Sequence, residues 1–311
     1  MATDRALLTR LRVLACKTET TTGTAIALSA TDALYNVMEM AYSAEIPPTE
    51  REGQGSMSKL VPIPGARTGK LTFKHEVNGL GSAGDPAWLI NFIGSCGFAL
   101  TAGAWNPTNA PIATSTFGGY IDGRMFSLSG AMGKVTFDAE AGKPMVGSYE
   151  FQGLHQLPTA AALLAPTYPV VAPPRFAAST LTIGGAAYRI GKVQIVIENT
   201  LVMREDGSDA SATGYHGCAI TNRKITIKVS PEAQALGTKD WYAAHLAMTS
   251  AAFSLAMGSS ANNIITFAAP AMTLLNPPGY EDDNGIYRDS LEFSCNRSAS
   301  AGDDELSITS S

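Results

Sequence analysis

The pentapeptide Lys70-Leu71-Thr72-Phe73-Lys74 returns 154 positions later as Lys224-Ile225-Thr226-Ile227-Lys228. Each copy reads charged, apolar, polar, apolar, charged, the period of a strand with one buried face and one wet face. Trp88 and Trp241 follow the two copies at nearly equal distance, and each opens an apolar helical run. Upstream of each copy lies a charged cluster ending in glycine, Arg51-Glu52-Gly53 and Arg204-Glu205-Asp206-Gly207. Downstream, Ser148-Tyr149-Glu150-Phe151 is matched by Ser290-Leu291-Glu292-Phe293. Four landmarks in one order predict an internal duplication.

A chain of 311 residues is long for one ordinary domain and comfortable for two. Halves of that size bury enough surface to fold without disulfides or metals. The formal charge is −5 and 16% of residues are charged, which argues against a protein built to grip nucleic acid. Cys16, Cys96, Cys218 and Cys295 stand far apart and read as reduced, mostly buried thiols of a cytoplasmic product. Arg5, Arg10 and Arg12 interrupt the apolar residues of the first seventeen, so no signal-peptide core is expected. No apolar run approaches the roughly 20 residues of a membrane span, and a soluble protein is expected.

Along the chain, Leu7, Leu8, Leu11 and Leu14 fall at helical spacing, predicting a short amphipathic arm or a strand-preceding helix over 4–16. A strand is expected over 33–42. The segment 43–69, with prolines at 47, 48, 62 and 64, reads as an extended hairpin arm between two strands. Asp85 and Pro86 predict a helix start, with Trp88, Leu89, Phe92 and Ile93 on one face and a stop at Gly97. Residues 101–119 read as loop, followed by strands over 124–128, 134–139 and 147–152. Five prolines between 157 and 174 predict a semi-rigid connector. The second half is expected to repeat the plan, with strands over 181–183, 188–198 and 224–230 and a polar loop at 204–222. A helix over 241–256 led by Thr238 or Asp240, and strands over 263–268 and 289–295, complete it. Residues 298–311 read as a loose acidic tail. The domain boundaries are therefore 1–157, a connector at 158–174, 175–297 and the tail 298–311.

Candidate chemistry is sparse. Gly79-x-Gly81-x-x-Gly84 follows a strand and precedes a helix, as a dinucleotide fingerprint does. The helix begins only at Pro86, and no acidic residue occurs over 97–105, so a crossover loop is the better reading. His75, His155, His216 and His245 lack metal spacing, and His75 reads as a hydrogen-bonded structural histidine. Glu281-Asp282-Asp283-Asn284-Gly285 lacks the spacing of a calcium loop and reads as a solvated turn. No Walker loop, nucleophile elbow or carboxylate pair is present, so neither catalysis nor a cofactor or metal is expected.

Several stretches carry a resemblance. They are Cys16-Lys17-Thr18-Glu19-Thr20 with Gly23, Gly69-Lys70-Leu71-Thr72-Phe73, and Gly79-Leu80-Gly81-Ser82-Ala83-Gly84-Asp85-Pro86-Ala87-Trp88 leading to Cys96-Gly97-Phe98. Gly130-Ala131-Met132-Gly133-Lys134-Val135-Thr136-Phe137, Tyr149-Glu150-Phe151-Gln152-Gly153-Leu154 and Pro277-Pro278-Gly279-Tyr280 with Asp283 and Gly285 complete them. Together they resemble the tail tube (major tail) proteins of long, non-contractile-tailed bacteriophages, most densely between 67 and 154. The second half matches less literally.

The resemblance implies a mainly β fold with flanking helices: two tandem tube domains, each a β-sandwich or half-barrel, whose inner sheets join between subunits into a large barrel. Trimeric rings would imitate hexamers, stack into a virion tail tube assembled in the host cytoplasm, and let DNA pass without specific binding. Tape-measure, terminator and tip proteins are the implied partners, and no membrane is involved. Six domains of four strands would give a barrel about 48 Å across, with a bore of roughly 35–40 Å. The arm, with Pro47, Pro48, Arg51, Glu52, Lys59, Pro62, Pro64 and Arg67, would reach the next ring. Leu71, Phe73, Trp88, Phe92, Ile225, Ile227 and Trp241 would form the key strands and helices of the two domains. A lumen that conducts DNA should be neutral or negative, since each free Lys or Arg would hold phosphate. The other reading is a β-rich virion decoration or head-tail connector protein.

Overall fold

The computed structural model describes residues 6–168, 171–208 and 213–311. Alternating burial of the kind seen in the repeated pentapeptide recurs throughout, and strands dominate the chain. In order they are β1 (Arg12–Thr18), β2 (Ala33–Leu34), β3 (Val37–Glu45), β4 (Pro48–Glu52), β5 (Lys59–Pro64), β6 (Thr68–Glu76), β7 (Phe98–Thr101), β8 (Ala104–Pro107) and β9 (Ser115–Ile121). Then come β10 (Arg124–Glu140), β11 (Val146–Ala160), β12 (Thr180–Ile183), β13 (Ala186–Ala187), β14 (Ile190–Glu205) and β15 (Tyr215–Pro231). The last are β16 (Ala251–Met257), β17 (Ile265–Leu274), β18 (Gly279–Asp283), β19 (Ile286–Cys295) and β20 (Ser307–Ser310).

The first half pairs in the order β3, β6, β11, β10, β9, β1. The second pairs in the order β14, β15, β19, β17, β16, β12. The two orders follow the same connection pattern. β10 joins them: its first part has β9 on one flank, and from Val135 to Glu140 that flank passes to β14. The sheet curls as a half-barrel. Among the described residues its pairings, followed strand by strand, form a branched open path that does not return to its start.

The inward face supplies the core. Leu71 and Phe73 are buried on β6, and Phe92 meets the Phe73 ring edge-on at 5.0 Å. The helix Trp88–Ile93 is wound wide, the Gly94 amide donating to the Leu89 carbonyl, and buries Trp88, Leu89, Phe92 and Ile93. Ile225, Ile227 and Trp241 are buried in the second half. The halves share one core: Phe137 and Phe267 approach to 5.1 Å. Between them Asn199 Nδ2 donates to the carbonyls of Cys96 (2.8 Å) and Gly133 (2.7 Å).

Several expectations are corrected. Residues 12–16 lie in β1, not in a helix; pairing with β9 buries Leu14, Ala15 and Cys16 on a strand. The expected loop over 101–119 contains β8 and most of β9, whose glycines masked the strand pattern. The strands expected over 124–128 and 134–139 are one strand, bent by register shifts near Gly130. The helix expected over 241–256 stops at Leu246, and β16 takes the rest. Its cap is Asp240, which accepts from the Ala243 amide at 2.9 Å. Asp85 does not cap; it accepts from the Trp105 indole at 2.9 Å. β11 runs into the expected connector as far as Ala160, and residues 169–170 lie outside the described residues. Much of the polar loop expected over 204–222 is strand, with residues 209–212 outside the described residues. The end of the chain is not a loose tail. β20 pairs with β17 and β8, and Leu306 and Ile308 are fully buried.

Candidate assembly surface

The pairings contain an eight-strand run, β3-β6-β11-β10-β14-β15-β19-β18, that passes through both halves. Among the described residues β3 pairs with β6 alone and β18 with β19 alone. Both flanks of the run therefore present unpaired backbone groups, a template for another chain.

One face of this run is polar because the alternation of each strand puts Lys, Glu, Thr and Ser there. Lys70, Lys74, Lys134, Lys192, Lys224 and Lys228 are interspersed with Glu76, Asp138, Glu140, Glu150, Glu198 and Glu292. Glu150 takes both Lys70 (2.9 Å) and Lys134 (3.3 Å), Lys74 meets Glu39 (2.6 Å), and Lys228 meets Glu292 (3.4 Å). Partial burial pushes the Glu150 carboxyl up, but its two lysines outweigh it and hold the group below its usual range. Such half-exposed pairs add little stability, about 0–1 kcal/mol each. Their effect is to cancel charge. Hollows of about 750 and 450 Å³ open on this face.

The arm is a two-stranded hairpin, β4 with β5, that among the described residues pairs with no other strand. Pro47, Pro48, Arg51, Glu52, Lys59, Pro62 and Pro64 are all exposed, whereas Arg67 stays at the base, where its amide donates to the Thr213 carbonyl. Met57, Leu60, Val61 and Ile63 are exposed as well, Val61 by 80%. Leu71, Phe73, Trp88, Phe92, Ile225, Ile227 and Trp241 lie instead in the core behind the polar face.

Two amides of the glycine-rich loop are occupied. Gly79 N–H donates to Asn263 Oδ1 and Gly81 N–H to the Asn262 carbonyl, both at 2.9 Å. A Cβ on Gly79 would lie 2.3 Å from that carbonyl oxygen, so only glycine permits the approach. The loop joins the two halves through these contacts. Among the described residues no group of His, Cys, Asp and Glu could hold a metal ion. The four cysteines are buried and unbridged. Asp282 Oδ1 accepts from the Gly285 amide at 2.7 Å, closing the turn between β18 and β19.

His75 departs from its expected hydrogen-bonded state: its Nδ1 is buried without a partner, against the edge of Phe92. Burial lowers the imidazole to about 3. Between about pH 6.5 and 3 the unfolded chain therefore binds a proton that the folded chain refuses. Stability should fall as pH falls through that window, by about 1.4 kcal/mol per pH unit from this group. Denaturation series at several pH values should show the slope flattened in His75→Phe; an unchanged slope would refute the assignment.

Sequence reasoning missed two features of this surface. Glu19, only 7% exposed, ties the loop after β1 to β9 and to the bend of β10. Tyr280 and Tyr287, on the β18–β19 hairpin, are exposed with ring centroids 4.9 Å apart. The signal for Tyr287 was present, since it stands where Met145 stands relative to the repeated Ser-x-Glu-Phe segment.

A family model described as phage tail tube protein matches residues 9–295, nearly the whole chain. In a comparison with curated proteins, none matches. Given that match and the curled, mainly β sheet, the chain belongs to the phage tail tube protein family, whose members are structural components of the virion tail and not enzymes.

Proposed function

We propose that the two halves are tandem duplicates, and that three chains close into a ring imitating a hexamer. Rings of this kind stack into the hollow tube of a long, non-contractile tail, through which DNA is ejected. The observation that carries this reading is the open eight-strand run with two unpaired flanks. Three such runs supply 24 strands, and closure at about 4.8 Å spacing and about 40° tilt gives a barrel about 48 Å across. With side chains inside, a bore of roughly 35–40 Å admits a duplex about 20 Å wide.

The polar face is the surface we assign to the lumen. Its lysines are nearly matched by carboxylates, and several are already paired. Phosphates sliding past find few free cations, so few counterions are released and DNA is not retained. The arm reaches the adjacent ring, its prolines keeping it extended. Tape-measure, terminator and tip proteins would meet the two ends of the stack. Assembly takes place in the host cytoplasm.

Negative-stain images of the purified, concentrated protein should show hollow tubes or stacked rings with threefold or pseudo-sixfold symmetry. A compact monomer in solution scattering at every concentration would sink the reading.

A further inference from the structure

The exposed pair Tyr280 and Tyr287 occupies positions that are fully buried in the first half. Aligning Ser148-Tyr149-Glu150-Phe151 with Ser290-Leu291-Glu292-Phe293 places Tyr287 where β11 is entered by Met145, and Asp289 where Gly147 stands. Gly147 faces Phe137 across the β10–β11 ladder, and Asp289 faces Tyr280 across the β18–β19 ladder. Tyr280 therefore corresponds to Phe137. Phe137 and Met145 are 0% exposed, whereas Tyr280 and Tyr287 are 64% and 50% exposed.

The difference has a visible cause. In the first half, β14 lies along the flank of β10 at Phe137, with Ile195 directly opposite it. The corresponding flank of β18 has no neighbour among the described residues. The strand that corresponds to β14 is β3, whose outer flank is also open. The ladders counted from the two Ser-x-Glu-Phe segments set the match, two residues out of step with the repeated pentapeptide, which would set Ile227 against Phe73. Phe151 pairs with Leu71 and Leu71 with Tyr42; Phe293 pairs with Ile227 and Ile227 with Ile195. Tyr42 thus stands in for Ile195.

We propose that the outer flank of β3 in a second copy of this chain closes on β18, reproducing the β10–β14 seam and covering Tyr280 and Tyr287. This inference rests on the ring reading and names the strands that close the ring. In the implied register Tyr42 of one copy faces Tyr280 of the next, with Ala41 opposite Glu281 and Ser43 opposite Gly279. Pairing satisfies the open backbone groups of both strands, and covering two aromatic rings supplies the apolar burial that holds the seam. Each junction between copies then repeats the junction already built within one chain.

Sedimentation and imaging of the full chain test this. Tyr280→Ser combined with Tyr287→Ser should fold as the parent does, because both side chains are exposed, yet self-associate at least about 30-fold more weakly. Tyr280→Phe with Tyr287→Phe should associate within about threefold of the parent, since the rings remain. Ala41→Cys with Glu281→Cys should give disulfide-linked oligomers under oxidised glutathione, against a low background because the native cysteines are buried. Parent-like association of the serine variant, or cross-linking no greater than in the single cysteine variants, would overturn the seam while leaving the tube reading in place. Failure of the parent chain itself to associate would overturn the ring reading and the seam together.

Discussion

Glu19→Ala should lose about 3–5 kcal/mol of folding stability, the largest effect expected of any single polar substitution here. The carboxylate sits at the end of β1, almost fully buried, and all its partners are donors. Oε1 accepts from Thr116 Oγ1 (2.7 Å) and the Gly130 amide (2.8 Å). Oε2 accepts from Thr114 Oγ1 (2.5 Å) and the Gly23 amide (2.9 Å). The hydroxyls can turn to other acceptors, but the two amides are fixed by their backbone. Leaving them unpaired incurs their desolvation cost as well as the lost bonds. Gly130 has φ +57° at the bend of β10, and a Cβ there would lie 3.0 Å from Gly217 Cα and 3.1 Å from Gly23 Cα. Glu19 therefore fixes the place where backbone of the second half rests on the first. Glu19→Gln keeps the shape but turns an NH2 toward a donor pair, so it should lose somewhat less. Denaturant titration at a concentration where the protein is unassembled measures both. A loss below about 1 kcal/mol in Glu19→Ala would show that water replaces the carboxylate.

Removing residues 50–64 should leave the fold intact and abolish long tubes. Among the described residues β4 and β5 pair only with each other, and every side chain from Pro48 to Pro64 is solvent-exposed or nearly so. The base is closed independently by the Gly65 amide donating to the Pro47 carbonyl at 2.9 Å. Unfolding should therefore shift by less than about 1 kcal/mol. Assembly should respond strongly, because Leu60, Val61 and Ile63 present apolar surface that only another molecule can cover. Covering such side chains is worth a few kcal/mol per arm. About 3 kcal/mol corresponds to a rise of more than 100-fold in the concentration needed for tubes. Electron microscopy should then show isolated rings or short stacks. Normal tubes at parental concentration would remove the arm from ring-to-ring contact.

How much was legible in the sequence follows from the range of each signal. The period-2 alternation at Leu71-Thr72-Phe73 and Ile225-Thr226-Ile227 fixed those strands and their buried faces. The prolines around 47–64 announced an arm because proline neither donates to a ladder nor collapses. Asp240 was readable as a cap from local chemistry alone. Signals that depend on a distant partner failed. Leu8, Leu11 and Leu14 have helical spacing, yet residues 12–18 are strand because β9 offers a ladder. The helix expected over 241–256 ran through Phe253 and Leu255, whose period-2 spacing with Met257 is a strand signal, and β17 takes them into a sheet. Leu306 and Ile308 sit in a polar, acidic segment, and only the presence of β8 and β17 buries them.

The sequence by itself determined the β character and the wet and dry faces of the repeated strands, because composition and period act within a few residues. The tertiary structure alone decided that β10 hands its flank to β14, that the glycine loop is spent on Asn262 and Asn263, and that β3 and β18 are left open. Those outcomes are set by which edges meet across long stretches of chain, and a pairing between distant edges has no local imprint in either strand.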